Sequence, residues 1–212
     1  MSQSVRDTIL KKIKQALTQP VPVPFPQQTE SSSVFHAPAE ELDVLFAENF
    51  TKLQGRFSYC ENKKELASQL NMLFIKREWK ELYCREDELK QVLSNAGFHA
   101  MTATDIESCD ASITGCEYLV ARTGSMVLSS GQQSGRTVSV YAPIHICIAY
   151  TDQLVYDIDE ALLSLQKEYG EQLPSMITLA TGPSRTADIE KTLVVGVHGP
   201  KEVFCFLVQR SN

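Results

Sequence analysis

The sequence lacks any run of roughly 18 consecutive apolar residues, the length that a membrane-spanning helix needs. Its amino-terminal segment also lacks the apolar core and the small-residue cleavage site of a secretory signal. From these two absences we expect a soluble protein of the cytoplasm that carries no membrane span.

Short catalytic motifs are also missing. The chain has no Gly-x-Gly-x-x-Gly dinucleotide loop, no Walker phosphate loop, no Gly-x-Ser-x-Gly elbow and no His-Glu-x-x-His zinc pair. The four histidines and six cysteines are widely spaced, and no two cysteines form a Cys-x-x-Cys pair. We therefore expect reduced cysteines in the core and no metal site in this chain.

Basic residues are outnumbered by acidic ones, 20 against 26, which gives a net charge of −6. This balance argues against the basic surface that nucleic-acid-binding domains present, although it leaves room for a small anion pocket. Apolar residues make up 43% of the chain and charged residues 22%, as in ordinary globular proteins. The length of 212 residues predicts one domain with an appendage.

The appendage is assigned to residues 1–35. Apolar residues recur at helical spacing over 4–18, with lysines on the other side. Alternating prolines over 20–26 then favour an extended chain, and a polar run continues this linker to Ser33. The helical arm is expected to dock on the main body or on a second subunit, or to be mobile.

Residues 36–212 alternate short strands with helices of about ten residues, a pattern typical of parallel β-α-β units. Because several strands between 118 and 148 have no helix between them, part of the sheet is expected to be antiparallel. The predicted fold class is therefore α/β, a three-layer α/β/α domain with a mixed, mainly parallel sheet. Predicted helices cover 38–54, 64–74, 87–95 and 159–169, and predicted strands cover 57–60, 82–84, 99–101, 118–121, 126–128, 138–140, 144–148, 176–179 and 203–207.

Three polar turns that contain glycine each follow an apolar strand: the first turn (121–125), the second turn (181–190) and the third turn (196–200). Glycine lets backbone N–H groups approach an anion, and Ser and Thr hydroxyls add hydrogen-bond donors. Because ligands of open α/β sheets bind where the loops at the carboxyl ends of strands converge, we expect these turns to form one pocket.

The second turn has a ligand-binding and a structural interpretation. Ser184 or Thr186 is expected to cap a following helix, whose exposed N–H groups, with Arg185 beside them, would suit a carboxylate or a phosphate. Asp188 and Glu190 are then candidate acid/base groups. Capping and the helix dipole explain the same hydroxyls and carboxylates without any ligand, and only Arg185 is left unexplained by them.

Two histidines are the other candidate proton carriers, because neutral imidazole is a competent base near pH 7. His145 lies between two isoleucines on a predicted strand, so it is as readily an interior histidine. His198 lies in the glycine-containing third turn, which could hold it for structural reasons.

The second and third turns carry a family resemblance. Residues 180–190 (Ala-Thr-Gly-Pro-Ser-Arg-Thr-Ala-Asp-Ile-Glu) followed by residues 196–200 (Gly-Val-His-Gly-Pro) resemble the signature of the LUD domain, and more narrowly of the lactate-utilisation protein C family. The first turn and the Pro-Ile-His segment at 143–145 are similar to two further motifs of that family, in the same order. Arg122 departs from the pattern, in which an acidic or neutral residue precedes Thr-Gly.

The resemblance implies a NagB/RpiA/CoA-transferase-like fold and a role in oxidising L-lactate to pyruvate with two partners, one cysteine-rich and one bearing an iron–sulfur cluster. This chain has no ferredoxin-like cysteine run, so we expect the cluster in the partner and no cofactor here. A homo-oligomer is compatible with the sequence. The expected ligand is a small carboxylate or an anionic cofactor. The candidate residues are, for ligand binding, Thr123, Gly124, Ser125, Gly182, Ser184, Arg185 and Thr186, and, for catalysis, His145, His198, Asp188 and Glu190.

Two other functions stay open, because a fold does not decide a function. One is a stand-alone enzyme of the same fold that acts on a sugar phosphate or a CoA ester. For a CoA transferase, Glu117 is the candidate nucleophile. The other is a subunit without catalysis that orders its partners.

Overall fold

The computed structural model describes residues 5–18, 41–186 and 194–210. The chain divides into two compact units, Met1–Ala37 and Pro38–Asn212. The first unit contains helix α1 (Val5–Leu17), which confirms the predicted amphipathic helix and buries none of its residues. The predicted proline linker lies outside the described residues.

The second unit alternates strands and helices. Its helices are α2 (Leu42–Lys52), α3 (Lys63–Lys76), α4 (Asp87–Asn95), α5 (Val138–Tyr141) and α6 (Ile158–Tyr169). Its strands are β1 (Arg56–Cys60), β2 (Leu82–Cys84), β3 (Ala111–Thr114), β4 (Tyr118–Val120), β5 (Ser125–Ser129), β6 (Ile144–Tyr150), β7 (Leu154–Val155), β8 (Ile177–Ala180), β9 (Arg185–Thr186), β10 (Val194–Val195) and β11 (Glu202–Val208).

The main sheet has five strands in the order β1-β11-β6-β3-β2, and all its neighbours are parallel. Its central strands, β6 and β11, are apolar runs buried along most of their length, as expected for a parallel sheet that is covered on both faces. The α/β fold class with a mainly parallel sheet is confirmed.

The antiparallel strands form a sheet of their own rather than part of the main one. In the order β7-β4-β5-β8, the β4–β5 and β5–β8 pairs are antiparallel and the β4–β7 pair is parallel. Strands β9 and β10 form a separate two-stranded antiparallel pair. The antiparallel character expected around 118–148 is therefore present, but it belongs to the second sheet.

Helices and the second sheet cover the two faces of the main sheet. One face packs against α3 and α4 through residues such as Leu70 and Leu93. The other face packs against α2, through Phe46 and Phe50, and against the second sheet. Helix α6 covers the outer face of the second sheet. The main sheet thus lies between helices on its two faces, as expected. The second sheet packs on the same face of the main sheet as α2.

Two predicted strands are not strands in the structure, and four of its strands, β3, β7, β9 and β10, were not predicted. Residues 138–140 alternate like a strand but begin the single helical turn α5, because the N–H groups of Val140 and Tyr141 both bind the Thr137 carbonyl. Residues 99–101 form no strand, although Ala100 accepts one hydrogen bond from the backbone of Leu82. Strand β3, which sequence periodicity missed, pairs with both β2 and β6.

All six cysteines are free and buried, in agreement with the expected core positions. Among the described residues, no helix has the length and apolarity needed to cross a membrane. The same residues contain no cluster of three His, Cys, Asp or Glu side chains arranged to hold a metal ion.

Candidate functional site

The three glycine-containing turns lie side by side. The Ser125 hydroxyl of the first turn lies 2.8 Å from the Thr181 hydroxyl of the second. The backbone N–H of Ser184 donates to the Pro200 carbonyl at 2.9 Å, and the N–H of Gly196 donates to the Ser184 carbonyl at 2.9 Å. These hydrogen bonds join the first turn to the second and the second to the third.

The glycines of the first two turns are used for packing against α2. Gly124 has φ +61°, and a Cβ there would lie 2.5 Å from the backbone nitrogen of Phe50. Gly182 has φ +87°, and a Cβ there would lie 2.6 Å from the Leu53 carbonyl oxygen. The guanidinium of Arg185 donates to that same carbonyl. Arg185, which capping left unexplained, thus binds the carboxyl end of α2.

The second turn does not begin a helix at Ser184. The next two residues form strand β9, which pairs antiparallel with β10 through Thr186 and Val194. The cap expected at Ser184 is therefore wrong, because its backbone leads into an extended segment. Asp188 and Glu190, with the helix predicted around them, lie outside the described residues.

A cavity of about 490 Å³ adjoins the third turn, lined in part by Tyr141, His198 and Lys201. It lies where β6 and β11 begin, since the Lys201 N–H donates to the Pro143 carbonyl at 2.8 Å. The third turn therefore lies at the amino edge of the main sheet. That is opposite to the edge at which ligands of α/β sheets bind.

His145 is a core residue of β6, with 1% of its surface exposed. Its Nε2 lies 2.8 Å from the Thr114 hydroxyl, which itself donates to the Gly115 carbonyl. Burial lowers the pKa of His145 to about 4, so the imidazole is neutral at pH 7. A side chain so enclosed is placed for packing and hydrogen bonding rather than for contact with a ligand.

The carboxyl edge of the main sheet carries a cleft that was not predicted from the sequence. It consists of two cavities, of about 560 and 410 Å³, which share four lining residues, Glu88, Val92, Tyr150 and Arg210. Loops that follow all five parallel strands line this carboxyl-edge cleft. The residues concerned are Asn62 after β1, Glu86 after β2, Gly115 after β3, Gln153 after β6, and Gln209 and Arg210 after β11.

One cavity of the cleft is cationic. Lys63 and Lys64 line it at the start of α3, where the Asn62 side chain accepts hydrogen bonds from the N–H groups of Lys64 and Glu65, both at 3.0 Å. Arg210 lines both cavities, and its guanidinium lies 5.5 Å from the Tyr150 ring centre. These positive groups favour an anionic ligand.

The Arg210 guanidinium is held at the cleft by one ion pair. Its Nη1 lies 2.7 Å from an oxygen of Asp152. The Arg210 side chain is 59% exposed and the Asp152 side chain is 50% exposed. An exposed pair of this kind contributes little to stability, so it leaves the guanidinium available to a competing carboxylate.

The other cavity contains Glu86, a half-buried carboxylate. Both of its oxygens lie 3.1 Å from the backbone nitrogen of Gly115, and the Ser134 hydroxyl also donates to it. Burial raises the pKa of Glu86 in spite of these two hydrogen bonds, and the negative charge of Glu117 raises it further. A carboxyl of this kind can hold or release a proton closer to neutral pH than an exposed one.

A model of the LUD domain matches residues 44–208, which is most of the second unit. The chain belongs to the LUD-domain family. A lactate utilization protein C of Halalkalibacterium halodurans is 42% identical over 104 residues, which are 48% of this chain and 45% of that protein. One from Oceanobacillus iheyensis is 31% identical over 124 residues, 58% of this chain and 53% of that protein. The matches thus span about half the length of these relatives.

The fold of this LUD domain is also found in a solved structure. The crystal structure of a DUF162 family protein from Deinococcus radiodurans gives a TM-score of 0.59 at 17% identity. The superposition covers 81% of this chain and 99% of that one. At this identity the likeness concerns the fold alone.

Two residues singled out from the sequence have structural partners in this LUD domain. Arg122 forms an ion pair of 2.6 Å with Asp157, the residue that caps α6. Its departure from the family pattern therefore has a structural use.

Glu117 accepts hydrogen bonds at Oε1 from the hydroxyls of Ser129 and Tyr169.

The part of the cleft at Gly115 was missed because β3 was missed. Gly115 directly follows β3, and Glu86 follows β2 by two residues. Ser112 and Thr114 are both buried on β3, and two polar residues in a four-residue strand hide its apolar character. The alternation of Ser112 and Thr114 with Ala111 and Ile113, followed by a glycine, is the sequence pattern that could have identified this strand.

Proposed function

We propose that this LUD domain is a cytoplasmic component of an L-lactate utilisation system that acts together with iron–sulfur partner proteins. The name of the Halalkalibacterium relative, lactate utilization protein C, supports the lactate part of this proposal. The iron–sulfur partners are taken from the resemblance of the turn motifs. In this proposal the chain binds a small carboxylate.

The ligand site of the proposal is the carboxyl-edge cleft, and the observation that supports it is the position of Arg210. Its guanidinium lines both cavities of the cleft, at the edge where loops of a parallel sheet converge. Guanidinium and carboxylate form charge-assisted, often bidentate, hydrogen bonds. The nearby Lys63 and Lys64 add positive charge on the same side.

The binding test is a titration of the full chain with L-lactate and with pyruvate, followed by amide NMR shifts. We expect Arg210→Ala to weaken binding by about tenfold or more, because one charge-assisted hydrogen bond is worth roughly 1.5–3 kcal/mol. Lys76→Ala is the matched control, since Lys76 is a cation at the far end of α3. Equal affinities in Arg210→Ala and the wild type would contradict the site.

The same titration tests the three turns as the alternative site. Arg185→Ala and Lys201→Ala each remove a cation at or beside the turns, where His198 and the hydroxyls of Thr123, Ser125 and Ser184 would then contact the ligand. Loss of binding in these variants, with normal binding in Arg210→Ala, would move the ligand to the turns.

The physiological test is growth on L-lactate as the sole carbon source. Deletion of the gene is expected to abolish that growth, and the wild-type gene to restore it. Normal growth of the deletion strain, in the absence of a second copy, would refute the lactate role. Complementation with a gene that encodes Arg210→Ala distinguishes ligand binding in the cleft from a purely structural role. If the subunit only orders its partners, this variant should still support growth.

A further inference from the structure

We propose that Glu86 makes the cleft discriminate a 2-hydroxy acid from the corresponding 2-oxo acid. This inference rests on the proposed function, because it assigns the second polar contact of the same ligand. The carboxylate of the ligand would face Arg210, and the oxygen on its second carbon would face Glu86. Glu86 is then a specificity-determining residue of the site.

The position of Glu86 supports this role. Glu86 and Arg210 both line the cavity of about 410 Å³. The Glu86 carboxylate is held by the Gly115 N–H and the Ser134 hydroxyl. Because a carboxylate has about four acceptor positions, two such donors leave acceptor capacity for a ligand.

Hydrogen-bond chemistry then separates the two ligands. An ionised Glu86 only accepts, so it binds the hydroxyl of a 2-hydroxy acid and repels the carbonyl oxygen of a 2-oxo acid. A protonated Glu86 donates, so it binds that carbonyl oxygen. The 2-oxo acid is thus bound together with one proton taken from solvent, and no covalent bond is made or broken.

The surroundings of Glu86 shift its protonation toward higher pH. Burial raises its pKa, and the charge of Glu117 acts in the same direction. The other titratable or charged groups of the elements around it are Cys84, Asp87, Glu88, Lys90, Cys116, Cys147, Tyr150 and Arg210. Arg210 is the cation among them that lines the same cavity.

The test measures dissociation constants of L-lactate and pyruvate between pH 5 and 8. In the wild type, the ratio of the pyruvate constant to the lactate constant is expected to rise by about tenfold with pH, the equivalent of one hydrogen bond gained or lost. Glu86→Gln should give a flat ratio, because an amide both donates and accepts at every pH. Glu81→Gln, which changes an exposed carboxylate outside the cleft, should behave as the wild type.

A second variant displaces Glu86 without removing its charge. A Cβ at Gly115 would lie 3.1 Å from Oε2 of Glu86 and would move that oxygen by a few tenths of an ångström, so Gly115→Ala should reduce the rise of the ratio without abolishing it. An unchanged rise of the ratio with pH in Glu86→Gln would overturn this inference and leave the anion site intact. Absence of binding of either acid to the wild type would overturn the proposed function and this inference with it.

Discussion

The hydroxyl of Ser125, the first residue of β5, lies 2.8 Å from the hydroxyl of Thr181, which follows β8. Ser125 also lies 2.8 Å from the Thr123 hydroxyl and is 2% exposed. A chain of three hydroxyls therefore joins two turns that are 56 residues apart. The polar side chains of these turns hold the fold together at this point.

Ser125→Ala is expected to lower the free energy of unfolding by about 1–2 kcal/mol, because it leaves two partner hydroxyls without their shared contact. Urea denaturation followed by circular dichroism measures the change. Ser68→Ala, at an exposed position of α3, is the control and should change stability by less than about 0.5 kcal/mol. Equal effects of the two substitutions would show that the hydroxyl chain contributes nothing.

Gly124→Ala tests the close approach of the first turn to α2. An added Cβ would meet the backbone of Asn49 and Phe50 at 2.5–2.9 Å, at a φ of +61°. Gly135→Ala is a matched control, since Gly135 has φ +66° and no atom within 4 Å of its Cβ position. We expect a loss of about 1 kcal/mol in the control and about 2–4 kcal/mol at Gly124, from the clash added to the backbone strain. A similar loss in both would refute the packing role.

The buried imidazole of His145 predicts a stability that depends on pH. Its pKa is lowered from 6.5 to about 4 in the folded chain, so the unfolded chain binds this proton more tightly. The free energy of unfolding should therefore fall as the pH drops from about 6.5 to 4, by about 3 kcal/mol from this group. The raised pKa of Glu86 acts in the opposite direction over acidic pH.

The comparison of the wild type with His145→Gln isolates this contribution. Denaturant unfolding at half-unit steps of pH should show a shallower decline in the variant. The same slope in both proteins between pH 4.5 and 6.5 would mean that His145 is accessible to protons in the folded state.

Asp157→Ala should lower the free energy of unfolding by about 1–2 kcal/mol at pH 7. The carboxylate accepts a hydrogen bond from the Ile158 N–H and pairs with Arg122 at 2.6 Å, at the start of α6. The hydrogen bond from Arg122 lowers the pKa of Asp157, so this contribution persists down to acidic pH and is lost as the pH falls through that lowered value.

Glu48→Ala is the control for Asp157, because Glu48 forms an exposed pair with Lys52 on α2. Such pairs are worth only a few tenths of a kcal/mol. An effect of Asp157→Ala no larger than that of Glu48→Ala would show that neither the cap nor the ion pair stabilises α6.

Helices with clear ends were the most predictable elements. Helix α3 begins after the capping residue Asn62, and α4 is followed by Gly97 in the left-handed region, so both were found within two residues of their bounds. Residues 138–140 were assigned wrongly because the alternation of valine and serine is shared by strands and by a single helical turn. Local hydrogen bonds to Thr137 decide between them in the structure.

The sequence alone determined the α/β alternation, the amphipathic helix at the amino terminus and the turn motifs of the LUD family. These features depend on residues that are close together along the chain. The tertiary structure alone decided that the first two turns pack on α2 and that Arg185 binds the Leu53 carbonyl, 132 positions away. It also decided the cleft, where Glu86 meets Gly115 across 29 positions. Parallel strands are joined by long crossovers, so the residues that meet at one edge of the sheet come from distant parts of the chain.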